Sequence, residues 1–266
     1  MEFSDPNAIN ALAKEFEEAS AAEDKIEITT QAPPSNVVDL PGGFILSNGQ
    51  LAKQVQVREL IGLDEEELAK ATTPNRLLQA VFSRGIVKIG DVDAYKEDLD
   101  TMLSGDRDAV ILGIRIATFG NTLEFMATCP SCLKEHPVEL DLTADIEMRE
   151  LTDPVGDRAF SVKLKSGEAM VTLPNGITNK RLLDADDKTT AELVTILLSG
   201  CIVSIDGTPS LGVQTALNLG ILDRETLVSE IYKRTPGPRL GEVTKACKAC
   251  GADIPLPLSL ASLFRL

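Results

Sequence analysis

Two stretches of the chain align with each other without a gap: CPSCLKEHPVELDL at residues 129–142 and CKACGADIPLPLSL at residues 247–260. Each begins with a Cys-x-x-Cys pair, and one proline and two leucines also coincide. A Cys-x-x-Cys turn that leads into a strand is typical of a zinc knuckle, and two knuckles together supply the four thiolates that tetrahedral zinc prefers. The sequence therefore predicts one zinc site with the ligands Cys129, Cys132, Cys247 and Cys250.

The predicted zinc site is closed, because all four of its ligands come from the protein. A closed site has no open coordination position for a substrate or an activated water, so its zinc is structural. The sequence accordingly predicts no catalytic residues and no cofactor other than structural zinc.

Three other interpretations of the cysteine pairs stay open. A redox-active Cys-x-x-Cys usually opens a helix, whereas Pro137 and a strand-like segment follow the first pair here. Disulfides are rare in a cytoplasmic protein, and buried thiols without a metal are the third alternative. His136 could replace a cysteine as ligand, but Ile254 occupies the matching place in the second copy, which favours a surface histidine or one beside the ligands. Cys201 lies in an apolar stretch and is predicted to be a small buried residue.

Outward from the cysteine pairs, the similarity continues with a period of about 117 residues, which predicts an internal duplication. Each copy has a β-hairpin, a helix that follows threonine, a short β-branched run and a helix with an N-cap aspartate before the knuckle and its strand. The two copies contain hairpins at 44–60 and 162–173, helix caps at Thr73 and Thr189, β-branched runs at 86–90 and 202–207, and aspartates at Asp106 and Asp223.

The predicted fold class is α+β, with two tandem duplicated modules that share the zinc-ribbon-like four-cysteine site. We expect an N-terminal arm and linker at residues 1–40, a first module at 41–145, a connector at 146–158 and a second module at 159–266. The arm carries a narrow apolar stripe, Ile9, Leu12 and Phe16, which either docks on a neighbouring surface or belongs to a frayed terminus.

Composition and charge exclude several classes of function. The 266 residues include 26 Lys and Arg against 41 Asp and Glu, so a net charge of −15 argues against nucleic acid as a partner. The chain has one histidine and no tryptophan, which disfavours catalytic triads, multi-histidine metal sites and base-stacking surfaces. No apolar stretch approaches the roughly 20 residues of a membrane span, so no membrane insertion is expected.

Other candidate chemistry is weak in this sequence. Acid-rich runs at 64–67 and 97–100 are predicted to be solvated helix faces and first turns. Nucleotide-binding glycine loops and the Gly-x-Ser-x-Gly motif are absent from the sequence. The N-terminus is acidic and lacks the order of a secretory signal, which indicates synthesis in a cytoplasm. We therefore predict that the protein is not an enzyme.

The order of elements in the first copy resembles the baseplate protein family of T-even-like contractile-tailed phages, which is described as acting in baseplate hub assembly. The resemblance covers residues 43–145, with residues 159–266 as a more divergent second copy. It rests on VREL at 57–60, DEEEL at 64–68, the step at Asp91-Val92, the helix start at 103–108, Ile114-Arg115, Phe119-Gly120 and the first cysteine pair. The arm and the duplication depart from the single-module pattern of that family.

The resemblance implies a virion or tail-assembly protein that binds other baseplate or hub subunits. It also implies assembly in several copies. Its expected location is the tail baseplate, or the host cytoplasm during assembly. Two alternatives stay open: a zinc-ribbon adaptor in transcription, and a thiol oxidoreductase.

Overall fold

The computed structural model describes residues 35–185, 187–256 and 258–264. The predicted apolar stripe of the arm lies outside these residues. The first strand begins at Ser35, inside the segment 1–40 that we predicted to be arm and linker.

The first half of the described chain alternates strands with helices. In chain order its elements are β1 (Ser35–Ile45), β2 (Leu51–Arg58), α1 (Gly62–Leu68), α2 (Pro74–Gly85), β3 (Ile86–Ile89), β4 (Val92–Asp93), 3-10 turns at Ala94–Lys96 and Leu99–Thr101, α3 (Ser104–Phe119), β5 (Thr122–Thr128), β6 (Glu135–Asp141) and β7 (Met148–Arg149).

The second half also alternates strands with helices. Its elements are a 3-10 turn at Gly156–Arg158, β8 (Ala159–Lys163), β9 (Glu168–Thr172), α4 (Gly176–Leu183), α5 (Thr190–Cys201), β10 (Ile202–Ile205), β11 (Thr208–Pro209), α6 (Val213–Asn218), α7 (Ile221–Arg234), β12 (Gly237–Pro238), a 3-10 turn at Leu240–Glu242, β13 (Thr244–Ala246), β14 (Asp253–Pro255) and α8 (Leu260–Leu263).

The two predicted hairpins are confirmed, and each forms half of a four-stranded antiparallel sheet. The sheet orders are β1-β2-β3-β4 and β8-β9-β10-β11, so both sheets add their strands in sequence order. The predicted caps are also confirmed: Thr73 accepts a hydrogen bond from the backbone N–H of Arg76, and Thr189 forms a capping box with Glu192. The fold class is thus mixed, with helices and antiparallel sheets.

The N-cap roles predicted for Asp106 and Asp223 are wrong. Helix α3 begins at Ser104 and α7 at Ile221, so both aspartates lie inside the first helical turn. Their carboxylates accept hydrogen bonds from other segments, 2.6 Å from the Gly42 backbone nitrogen for Asp106 and 2.7 Å from the Lys165 backbone nitrogen for Asp223. Each aspartate therefore joins its helix to a distant strand or turn.

Two hydrophobic cores fill the described unit. The smaller core lies within residues 162–231 and includes Leu198, Cys201 and Leu227. The larger core combines the first sheet and α3 with residues from the end of the chain, among them Val243, Ile254, Leu256 and Phe264. The second cysteine knuckle and the residues that follow it therefore pack with the first half of the chain.

A close backbone contact holds the returning chain against α3. Strand β12 pairs with β7, which brings Pro236 and Gly237 next to Gly105 in the first turn of α3. A Cβ atom on Gly105 would lie 1.6 Å from the carbonyl oxygen of Pro236. Only glycine fits at this crossing, because a side chain would need the backbone to move.

We expect Gly105→Ala to lower the free energy of unfolding by at least about 3 kcal/mol, since it places a methyl group on a fixed carbonyl. Gly62→Ala is the matched control: it also lies in the first turn of a helix, but a Cβ there meets nothing within 4 Å. Denaturant unfolding of both variants is the measurement. Equal stability of the two would contradict the close contact.

Asp106 is fully buried beside this crossing, and one of its carboxylate oxygens has no hydrogen-bond partner. Burial raises its pKa to about 7, although the Gly42 N–H and Arg158 favour the ionised form. Burial likewise raises the pKa of Asp108 to about 7, with Arg107 opposing the shift. Both carboxyls therefore bind protons more tightly in the folded protein than in the unfolded chain.

Raised carboxyl pKa values stabilise the folded state at low pH, and this stabilisation is lost as the pH rises through about 7. Between about pH 6 and pH 8, we expect the free energy of unfolding to fall by about 1 kcal/mol for each of the two carboxyls. Denaturant unfolding at both pH values checks this, and Asp106→Asn should remove about half of the difference. An unchanged pH dependence in that variant would assign the effect to other groups.

Candidate metal centre

Both Cys-x-x-Cys pairs occupy the turn of a β-hairpin. The first cysteine hairpin, residues 122–141, consists of β5, the first pair and β6, and the second, residues 244–255, consists of β13, the second pair and β14. The prediction that each knuckle leads into a strand is confirmed. This placement differs from the helix start at which a redox-active Cys-x-x-Cys usually lies.

The two turns have the same backbone hydrogen bonds. The Cys129 N–H donates to the Lys134 carbonyl at 2.9 Å, and the Leu133 N–H donates to the Cys129 carbonyl at 2.9 Å. In the second hairpin, the matching bonds from the Cys247 and Gly251 N–H groups are 2.8 and 2.9 Å. Leu133 and Gly251 have φ values of +58° and +74°, so both turns need a left-handed residue after the second cysteine.

The four sulfurs of Cys129, Cys132, Cys247 and Cys250 all lie within 4.8 Å of one another. Two of the contacts between the hairpins, Cys129 to Cys250 and Cys132 to Cys247, are 3.7 Å between sulfur atoms. A tetrahedral metal with bonds of about 2.3 Å to sulfur places its ligands about 3.8 Å apart. The spacing of the four sulfurs therefore allows them to hold a metal ion in a tetrahedral arrangement.

The sulfur environment favours at least one thiolate. Burial opposes ionisation of Cys247, but backbone N–H groups of Ala249 and Cys250 and the neighbouring sulfurs lower its pKa to about 6. The Ala249 backbone nitrogen is 3.4 Å from the Cys247 sulfur. For Cys250, a backbone hydrogen bond from Ala252 lowers the pKa, while the Cys247 sulfur and burial raise it to about 11. Successive ionisations thus become harder, and a bound cation would offset that cost.

His136 lies beside the cysteine cluster. Its Nε2 atom is 3.3 Å from the Cys247 sulfur, and the residue faces Ala127 across the first cysteine hairpin. Ile254 occupies the matching place in the second hairpin and is buried in the larger core. Sequence reasoning left the role of His136 open, and the structure puts its ring in contact with a predicted ligand.

Contacts away from the sulfurs also hold the two hairpins together. Lys245 in β13 forms an ion pair of 2.6 Å with Asp145, which follows the first hairpin. Val138 and Leu140 of the first hairpin share the larger core with Ile254 and Leu256 of the second. The cluster therefore joins segments that already pack against each other.

Cys201, the fifth cysteine, lies outside the four-cysteine cluster. Cys201 is fully buried in the smaller core, as predicted, and burial raises the pKa of its thiol to about 12.

The expectation that residues 64–67 are solvated is wrong for Asp64, which is 1% exposed. Its carboxylate oxygens lie 2.7 Å from Arg58 and 3.2 Å from Arg84, so this acid is a buried ion-pair partner. A lone arginine in the preceding strand was the available signal for that pairing.

Comparison with known protein families gave a match over most of the chain. A family model described as T4 bacteriophage base plate protein matches residues 47–208, which is more than half of the chain. The matched stretch includes the first cysteine pair and continues through the connector into the second sheet, beyond residues 43–145 on which the resemblance rested. Searches of curated proteins and of solved structures found no match.

The described helices were also compared with the requirements of a membrane span. None of the helices in residues 35–185, 187–256 and 258–264 combines sufficient length with sufficient apolar character to cross a bilayer.

Cys129→Ser together with Cys132→Ser should abolish metal binding and lower the melting temperature, since two of four thiolates are lost. Elemental analysis and thermal unfolding measure the two effects. Cys201→Ala is the control, because it removes a buried thiol of the other core and should leave the metal content unchanged. Intact metal content and melting in the double variant would rule out the four-cysteine site.

Proposed function

Because the chain belongs to the T4 bacteriophage base plate protein family, we propose that it is a non-enzymatic structural or assembly protein of a phage tail baseplate. In this proposal it binds other baseplate or hub subunits, and Cys129, Cys132, Cys247 and Cys250 hold one structural zinc ion. The family match is the single observation that carries the proposed role, and the clustered cysteines support the zinc.

Zinc is the proposed metal because the four ligands are all thiolates. Soft sulfur ligands in a tetrahedral arrangement select zinc over hard cations such as Mg²⁺ and Ca²⁺. The 3.7 Å sulfur contacts between the hairpins agree with the spacing expected around zinc. When bound, the ion would cross-link the two hairpins and so fasten the end of the chain to its first half.

An absence of catalysis is proposed for two reasons. Four cysteine ligands leave zinc without an open position at which to bind a substrate. The single histidine, His136, is in contact with the sulfur of Cys247, which as a zinc ligand would not be free to act as a nucleophile. Both features suit a site that stabilises structure.

An internal duplication is proposed as the origin of this architecture. It is supported by the common order of the two four-stranded sheets, by the matching caps Thr73 and Thr189, and by the matching hydrogen bonds of the two cysteine turns. In this proposal the two copies depend on each other, because the second knuckle packs in the larger core.

The proposed location is the virion tail baseplate, with a period in the host cytoplasm during assembly. Incorporation in several copies is part of the proposal.

The test is to purify the full chain and mix it, one at a time, with each tail protein of its own virus. We expect about one zinc per chain and a stable complex with at least one baseplate or hub subunit on size exclusion. Failure to bind any tail protein would contradict the baseplate role, whereas absence of zinc would contradict only the proposed metal. A parallel assay of disulfide reduction should show no turnover above that of the Cys129→Ser and Cys132→Ser double variant.

A further inference from the structure

Strand β5 has an edge that is not covered by any other strand of the described chain. All seven of its residues, Thr122–Thr128, pair with β6 on one side, and the sheet contains only these two strands. Strand β14 is likewise paired only with β13. An uncovered edge leaves a row of backbone N–H and C=O groups that can pair with an added strand.

An apolar groove of about 360 Å³ runs along this edge, between the two cysteine hairpins. On the β5 side, five of the six residues from 123 to 128 line the groove, and Glu124 is the exception. Successive side chains of a strand point to opposite faces. Because residues from both faces of β5 line the groove, the groove follows the edge of the strand. The opposite wall consists of Ile254, Pro255, Leu256, Leu258 and Ser262.

The edge of β5 has a single charged residue, Glu124, and few of the features that natural proteins use to block strand addition. Its sequence, TLEFMAT, contains no proline, lysine or arginine, and Met126 is 55% exposed. Proteins commonly protect such edges with lysine, proline or a bulge. A seven-residue edge without this protection is suited to binding an extended segment.

The solvent-facing side of the first cysteine hairpin is acidic. Glu124 and Glu139 are directly opposite each other, and Glu135 faces Thr128 on the same side. Among the ion pairs of the described chain, none involves these three glutamates. Like charges opposite each other in a sheet are destabilising, and a cationic neighbour would reverse that effect.

We propose that the edge of β5 binds an extended segment of another baseplate protein in which apolar and basic residues alternate. This rests on the proposed function and specifies the kind of partner. The backbone of the segment would pair with β5, its apolar side chains would enter the groove, and its basic side chains would lie next to Glu124, with Glu139 one strand further from them. Alternation is required because successive side chains of a strand point to opposite faces.

Charge favours this partner over a second copy of the chain. Two β5 edges paired with each other would bring two acidic faces together, and the whole chain carries a net charge of −15. The groove lies next to the cysteine cluster, because one wall belongs to the first cysteine hairpin and the other to the end of the second hairpin and the residues that follow it. Metal binding would therefore hold the two walls of the groove together in addition to stabilising the fold.

The first test uses a blocked seven-residue peptide that alternates valine and lysine, with the zinc-loaded full chain. We expect binding in fluorescence anisotropy and slower amide exchange in residues 122–128. A peptide that alternates serine and lysine should bind at least tenfold more weakly, because it keeps the charge and loses the apolar side chains. Equal binding of the two peptides, or unchanged exchange in β5, would overturn the proposal.

The second test changes the acidic face. Glu124→Lys with Glu139→Lys should weaken binding of the valine–lysine peptide at least tenfold. The control, Glu66→Lys with Glu168→Lys, makes the same change in net charge at exposed positions elsewhere and should bind as the wild type does. Equal weakening by both pairs would mean that only the overall charge matters, and would overturn the proposal. Circular dichroism and metal content verify that both variants fold.

The tail proteins of the same virus then separate this proposal from the proposed function. A subunit that binds the wild type and the Glu66/Glu168 variant but not the Glu124/Glu139 variant would support the β5 edge. A subunit that binds all three equally would overturn the edge and leave the baseplate role standing. Peptide binding without any tail-protein binding would contradict the baseplate role and support the edge. Self-association that the Glu124/Glu139 variant alone loses would assign the edge to a second copy and overturn the proposal.

Discussion

The contact between the two cysteine hairpins is the constraint on which the rest of the structure depends. It brings Cys132 and Cys247, 115 positions apart in the sequence, to 3.7 Å between their sulfurs. The same contact places Val243, Ile254 and Leu256 in the larger core, together with residues of the first half of the chain. A metal bound there would be a ligand of the folded state only, so its binding energy would add to stability.

The second sheet is, in effect, inserted between two segments that pair with each other. The chain leaves the first half at β7 and returns at β12, which pairs with β7. The returning backbone passes so close to α3 that Gly105 has no room for a side chain. Because the second sheet has its own core, it can keep its packing while its ends are fixed by β7, β12 and the cysteine cluster.

The contact between the two cysteine hairpins bears both on the stability of the fold and on the groove that we propose as a binding site. In the proposed arrangement, a metal bound by both hairpins would fix the distance between β5 and β14, and hence the width of the groove between them. A strand edge held in this way loses little conformational entropy when a partner strand adds to it, which favours binding through backbone hydrogen bonds. Membership of a baseplate family fits a molecule whose working parts are surfaces held at fixed positions.

The sequence by itself determined the local structure: the hairpins, the helix caps Thr73 and Thr189, the cysteine turns and the burial of Cys201 all follow from residue spacing and turn chemistry. It also identified the family through the order of elements. Only the tertiary structure decided which core receives the second knuckle, and that Asp64 and Asp106 are buried rather than solvated or capping. These outcomes depend on partners far along the chain, such as Arg84 for Asp64 and Gly42 for Asp106, and local periodicity carries no information about such partners.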